Sequence, residues 1–283
     1  MQDITIIIPV YKAEATLARC LDSLLAQTYP HWRAIMIDDA SPDNSREIGR
    51  RYAAQDSRFI YMINERNMGV AATRNRGLGM LGEGYAAFLD SDDWWEPDAL
   101  ERLHSAAEKY NADIVQCTWF IDYPDGSSTP KSNTFRDLKV FDRKEFHIPL
   151  RKMLTSISMN HVYRKLTRCE LFRDLQFNAG LRTAEDLELC FRLFMRAKNM
   201  VFIPDPLYHY FRAGTGLTGS GLPFRRKWKD NRAVSTTIIR ELKGSDLDSR
   251  FHRILTWLRP YTITADKAMR ILQDKRALRR KSV

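Results

Sequence analysis

Over its first 115 residues the chain alternates short apolar runs with stretches that carry apolar side chains at helical spacing. No other feature limits the fold so sharply. Strands alternating with helices return to one sheet by right-handed crossovers, which predicts a mostly parallel sheet flanked by helices on both faces. Ile4–Val10 is apolar nearly throughout, as a strand buried on both faces requires. Glu14–Gln27 sets Leu17, Leu21, Leu24 and Leu25 on one helical face. Ala34–Ile37 and Phe59–Ile63 read as further strands, with a helix over Asp43–Ala54 begun by Ser41-Pro42. The spacing then predicts a helix over Gly69–Met80, a strand over Tyr85–Leu89, a helix over Pro97–Tyr110 and a strand over Asp113–Cys117.

Past this point the pattern loosens. Trp119–Val140 is turn-rich around Pro124-Asp125-Gly126 and suits an irregular excursion or β-ribbon, and residues 143–175 mix helical and extended segments. Thr183–Ala197 is a helix with Leu187, Cys190, Phe191 and Phe194 on one face. Val201–Ile203 and Leu207–Phe211 read as strands, followed by the glycine-rich loop Gly214–Gly221. After Pro223 the pattern is helical, with breaks near Gly244 and Pro260.

The charge is unevenly placed. Of the net +10, residues 225–283 contribute 17 Lys+Arg against 6 Asp+Glu, leaving 28 basic and 29 acidic groups on the remaining 224 residues. A neutral body with a basic end points to an anionic surface as partner, membrane or nucleic acid. Trp228 and Trp257 among the cations favour the membrane interface, and a helical cap with a solvated basic face is the plainer alternative. Met1-Gln2-Asp3 offers no basic leader, and no run approaches the roughly 18–20 apolar residues of a membrane helix. The expected location is therefore the cytoplasm, peripheral on the inner face of the cell membrane. Cys20, Cys117, Cys169 and Cys190 are too dispersed for a zinc site or a disulfide framework and read as core residues.

In parallel sheets ligands lie outside the carboxyl ends of the strands. Asp90-Ser91-Asp92-Asp93 and Asp38-Asp39 fall there. Two carboxylates one residue apart suit Mg²⁺ or Mn²⁺, which in turn neutralises a diphosphate, although a solvated acidic turn has the same spelling. Asp39 could accept from a base N–H or ribose hydroxyls, or cap the next helix. Tyr11, after Pro9-Val10, could face a nucleobase or pack under the sheet rim. Gly69 opens a helix whose N-terminus favours anions, and Arg74 lies one turn in, able to meet a phosphate or pair with the Asp90 cluster.

Together PVYKAE, DDASPDNS, NMGVAATRNRG and FLDSDDWWEPD resemble, in order and spacing, the motifs of the inverting glycosyltransferases called family 2, of the bacterial cell-surface polysaccharide and lipopolysaccharide type. The resemblance is strong over residues 3–115 and extends weakly to about 220. It implies a GT-A-like fold with a basic helical extension at the C-terminus. The domains would be a glycosyltransferase domain over 1–223, with its nucleotide-binding half at 1–115 and its acceptor and base half at 116–223, and a basic region over 224–283. It implies a UDP-linked sugar donor, a glycan or lipid-linked acceptor and a divalent Mn²⁺ or Mg²⁺. Position by position, Pro9, Tyr11, Glu14 and Asp39 would line the base and ribose site, with Asn67 and Arg74 beside them. Asp90 and Ser91 would contact the sugar nucleotide, and Asp92 would bind the metal. Asp186 in Thr183-Ala184-Glu185-Asp186 matches the family's base motif, with Glu185 its neighbour, although acids at a helix start also serve the dipole. His209 would complete the metal shell and Arg212 meet a phosphate, with Gly214–Ser220 as a mobile lid.

Two rival readings use the same features. A nucleic-acid-binding protein would use the basic end but leaves the acidic motifs unexplained, so no nucleic-acid partner is expected. A non-catalytic sugar-nucleotide-binding module would keep Asp39 and Asp92 but has no need of Asp186.

Overall fold

The computed structural model describes residues 4–131, 135–212, 223–250, 252–257 and 260. The apolar runs and helical stretches of the first half become β1 (Ile4–Val10), α1 (Leu17–Leu25), β2 (Trp32–Asp38), α2 (Ser45–Gln55), β3 (Phe59–Ile63), α3 (Val70–Leu78), β4 (Tyr85–Phe88), β5 (Trp94–Trp95), α4 (Ala99–Lys109) and β6 (Ile114–Asp122). The second half supplies β7 (Ser128–Lys131), β8 (Lys139–Asp142), α5 (His147–Thr155), β9 (Lys165–Arg168), α6 (Glu185–Arg196), β10 (Asn199–Phe211) and α7 (Phe224–Leu242).

The strands form one sheet in the order β3-β2-β1-β4-β9-β6-β10-β5, with β7 beside β6 and β8 beside β10. The run from β3 to β4 is parallel throughout, as the alternating pattern predicts. The rest is mixed: β6 and β10 are parallel, but β9 runs antiparallel to both β4 and β6, and β5 antiparallel to β10. Because β1 leads outward to β2 while β4 returns on its other side, the sheet reverses its winding between β1 and β4. The crevice at that switch, outside the carboxyl ends, is where such sheets receive ligands.

Alternation along β1 and β2 divides the core. Ile6, Ile8, Ala34 and Met36 pack on the face covered by Leu17, Leu21 and Leu24 of α1 and Leu100 and Leu103 of α4. Ile7, Ile35 and Ile37 pack on the other, against α3, in the apolar cluster that α5 and α6 also join. Each fully buried leucine of α1 contributes roughly 1.5–3 kcal/mol relative to exposure. Gly77 lets α3 lie close to the sheet: a Cβ there would sit 2.6 Å from Ile7 Cγ2 and 3.1 Å from Ile37 Cδ1.

Two features differ from the sequence pattern for identifiable reasons. The segments 201–203 and 207–211 are one strand, β10, whose register against β6 shifts around Pro206, where proline removes the ladder donor. The basic C-terminal region begins with α7, whose Val234, Ile238 and Leu242 are buried in the same apolar cluster as Leu187, Phe191 and Phe194 of α6. The four cysteines are buried and unpaired. Among the described residues no helix is long and apolar enough to cross a membrane.

Candidate active site

The loops after β1 and β2 are tied together by short polar side chains. The Lys12 N–H donates to Ser41 Oγ at 3.2 Å, Ala13 N–H to Ser45 Oγ at 2.8 Å, and Glu14 N–H to Asp43 Oδ2 at 3.1 Å. Glu14 returns the contact, its Oε2 accepting from Asn44 N and Nδ2 at 3.0 and 3.1 Å. Pro9 lies within β1 opposite Ile37, and Tyr11, just past the strand, is 44% exposed at the crevice rim.

Asp39 occupies the end of β2 and is buried, with both oxygens engaged. Oδ1 accepts from Asn64 Nδ2 and Met68 N, and Oδ2 from Gly69 N, each at 2.8 Å. It therefore fastens the loop that leads into α3, where Gly69 adopts φ +86°. Asn67, inside that loop, is exposed.

Four successive side chains after β4 have different surroundings. Asp90 pairs with Arg74 through Oδ1 at 2.7 Å. Ser91 and Asp92 are held by their carbonyls, which accept from Thr16 Oγ1 and Arg19 Nη2, each at 3.0 Å. Burial, then the Asp90 charge, push the Asp92 carboxyl up to about 6. Asp93 is fully buried; Oδ2 accepts from the Tyr208 hydroxyl at 2.5 Å and Oδ1 from Phe211 N at 2.8 Å. Its task is to fix the end of β10 beneath the cluster, a role the acidic spelling does not reveal.

Arg74 joins the two halves of the molecule. Its guanidinium, with the side chain 5% exposed, reaches Asp90 with Nη2 and Asp186 Oδ1 with Nη1 at 2.9 Å, with Glu185 Oε1 4.0 Å away. Burial pulls its pKa down, but Asp90 and Asp186 outweigh that and the net shift is upward. Asp186 stands in the first turn of α6, just after Ala184, which caps the helix in the left-handed region at φ +67°. Burial raises the Asp186 carboxyl to about 7, Glu185 and Asp90 adding to the rise while Arg74 and Lys165 oppose it. Such a group changes charge near neutrality, as a proton acceptor for a hydroxyl should.

Several residues that the motifs did not single out build this arrangement. Asp230 of α7 accepts from Arg182 N at 3.0 Å and Thr183 N at 3.2 Å, bracing the turn before Asp186. Asn75, next to Arg74, pairs both ways with the Phe177 backbone at 2.7 and 2.9 Å. Arg19 lies 3.9 Å from the Trp94 ring centroid and 4.4 Å from that of Phe211. The pairing of Asp230 with a loop 47 residues earlier leaves no periodic trace in the sequence.

His209 does not suit the metal role expected of it. Nδ1 is 3.0 Å from Asp122 Oδ2 and Nε2 is 2.8 Å from Glu96 Oε1, while the ring is stacked between Trp94 and Phe120. With a carboxylate at each nitrogen, neither is open to a cation. Among the described residues no group of three or more His, Cys, Asp and Glu is arranged to hold a metal ion. Arg212 continues β10, its N–H donating to Asp122 O at 2.8 Å, and is exposed. The expected lid, Gly214–Ser220, lies outside the described residues.

Residues 5–176 match the family model described as Glycosyl transferase family 2. The chain is 31% identical over 212 residues to the glycosyltransferase GlyA of Streptococcus pneumoniae serotype 4, covering 73% of this chain and 30% of that protein. It is 32% identical over 214 residues to the putative glycosyltransferase EpsH of Bacillus subtilis, covering 73% of this chain and 60% of that protein. It thus spans less than two thirds of the length of either relative. S. aureus TarS 1–349, solved in complex with UDP-GlcNAc, superposes with a TM-score of 0.75 over 92% of this chain and 72% of that one. At 20% identity this likeness is one of fold, and it matches the GT-A-like architecture.

Proposed function

The chain belongs to glycosyl transferase family 2, and on that footing we propose that it moves a sugar from a UDP-linked donor to a hydroxyl of a glycan or lipid-linked acceptor, with inversion at the sugar carbon. The observation that carries this reading is the Asp90–Arg74–Asp186 bridge, which sets a donor-side carboxylate and a separate carboxylate titrating near neutrality around one crevice. The Asp186 carboxylate takes the proton of the acceptor hydroxyl as its oxygen bonds to C1. The bond from C1 to the diphosphate breaks, and its electron pair leaves with the nucleoside diphosphate. The attack comes from the side opposite the leaving group, which inverts the centre.

Pro9, Tyr11, Glu14 and Asn67 rim the crevice at the carboxyl ends of β1 and β3 and are assigned to the base and ribose. Asp39 serves that site through the loop it fastens. Asp90 and Ser91 are assigned to the donor sugar and diphosphate, and Arg212 to the phosphate side. Asp92 fits a divalent cation, because a carboxylate that burial and Asp90 hold toward its neutral form is restored to its anion by a positive charge. Mn²⁺ or Mg²⁺ held there would supply neutralising charge for the diphosphate. The donor assignment draws support from TarS, solved with UDP-GlcNAc and with UDP.

Residues 1–115 are assigned as the nucleotide half and 116–223 as the acceptor half, and the basic charge of 224–283 is assigned to an anionic membrane surface. Ile254 and Trp257, 47% and 59% exposed, support that face. An assay of nucleoside diphosphate release, run on a panel of UDP- and GDP-sugars with Mn²⁺, Mg²⁺ or chelator, tests the whole reading. Release from GDP-sugars alone, or from none, refutes the donor assignment.

A further inference from the structure

Arg74 is placed too deep to be read simply as a ligand for a phosphate. Its side chain is 5% exposed, and its two terminal nitrogens are committed to carboxylates from opposite halves of the chain. We propose that Arg74 is a positioning residue for Asp186, holding that carboxylate in register with Asp90 so that proton acceptor and donor site keep one geometry. The inference rests on the reading of Asp186 as the base.

A guanidinium is a rigid planar fork, so fixing Nη2 on Asp90 also fixes the direction in which Nη1 meets Asp186. Glu185 Oε1, 4.0 Å from Nη1, lies beyond hydrogen-bond distance. The buried Nε–H has no hydrogen-bond partner, and the nearest aromatic support is the Phe177 ring, 5.4 Å from the guanidinium carbon. On the other side, Oδ1 of Asp186 is taken by Arg74, while Oδ2 accepts from no described residue and is left to receive a proton. Asn75 fastens the backbone at Phe177, and Asp230 fastens the turn before α6, so both ends of the bridge are themselves braced.

The titratable and charged groups facing Asp186 come from four places in the fold. Glu185 and Cys190 lie on α6, Arg74 on α3, Asp90 after β4, and Lys165 on β9. Among these, Arg74 is the cation in hydrogen-bond contact. Removing it leaves Asp186 buried beside like charges, with its Oδ1 unanchored. An ion pair of this kind lowers a carboxyl by about one to three pKa units, so its loss should be visible directly.

The test uses the full chain with aspartate labelled at the carboxyl carbon, and the variants Arg74→Met, Arg74→Lys, Asp186→Asn and the double Arg74→Met/Asp186→Asn. The Asp186 resonance is identified by its loss in Asp186→Asn. In Arg74→Met it should titrate at least about one unit higher, while the Kd for UDP, measured by calorimetry, stays within about threefold. Arg74→Lys should restore part of the shift, and it decides the matter alone if Arg74→Met does not fold. UDP release from a mixture of UDP-glucose, UDP-galactose and UDP-GlcNAc should be no slower in the double variant than in Asp186→Asn, because residues acting through one another are not additive. An unmoved Asp186 titration, or a loss of UDP affinity of about tenfold or more with losses that multiply in the double variant, overturns the proposal. Asp186→Asn retaining transfer is a different result, which removes the base assignment itself.

Discussion

Tyr208 donates its hydroxyl to Asp93 at 2.5 Å, where both side chains are fully buried. The acid beside Asp90 and Asp92 is thereby a structural peg for β10. Burial pushes its carboxyl upward, so the folded chain holds that proton more tightly than the unfolded one. The resulting stability is present at low pH and falls as pH rises above the unfolded value of about 3.9.

Tyr208→Phe should therefore cost about 1–3 kcal/mol, the penalty for a buried acceptor left unmatched. Asp93→Asn should fold, its amide donating to Tyr208 while its oxygen keeps the Phe211 N–H. Urea titrations at several pH values check both, and Asp93→Asn should lose the decline in stability above pH about 4.

Asp186→Asn should leave UDP binding unchanged and lower transfer by about 10²–10⁴-fold. In the parent chain, kcat should rise with pH through about 7, since burial holds the base protonated below that point and the ionised form does the work. A rate flat from pH 6 to 8, about one unit either side of that value, would sink the assignment.

Asp92→Asn should abolish the response of transfer to added Mn²⁺ or Mg²⁺ and lower the rate by about 10²-fold or more, the scale of several kcal/mol of charge stabilisation. His209→Asn, by contrast, should leave the metal response intact. His209 is held between Asp122 and Glu96, so the change should appear in thermal stability.

Gly77→Ala inserts a Cβ 2.6 Å from Ile7 Cγ2. Overpacking of this kind costs about 1–3 kcal/mol. Because Arg74 lies on the same helix, the displaced helix should slow transfer as well, which activity and urea midpoint measured on one preparation will show.

Truncation after residue 260 removes seven Lys+Arg and two Asp while sparing the buried face of α7. It should weaken binding to anionic liposomes and leave folding intact. Cutting near 224 would instead strip Val234, Ile238 and Leu242 from the core. Unchanged liposome binding by the chain ending at 260 would count against the membrane face.

The parallel half was legible because its signals are local and periodic. Ile4–Val10 announces a buried strand, Phe59–Ile63 a strand, and the leucines of α1 announce their face. β5 has two residues and β9 four, too few for a period, and both are set by partners far away in the chain. In the site, the acidic spelling located Asp90 and Asp92 at a strand end, but could not separate Asp93 from them, since only burial does. His209 was read without its neighbours, and Asp122 and Glu96, 87 and 113 residues distant, decide what its nitrogens do. Asp186 and Asp90 are brought together by a tertiary ion pair that no spacing rule contains.

Asp230 gives the C-terminal region a mechanical consequence. The helix that begins the cationic stretch also supplies the carboxylate that steadies the turn ahead of Asp186, and its apolar side is part of the core. A force on that helix reaches the turn before Asp186 directly, because Asp230 hydrogen-bonds to the peptide groups of Arg182 and Thr183. Helix α7 is therefore no detachable tether. Lifting it would loosen the turn that leads into Asp186.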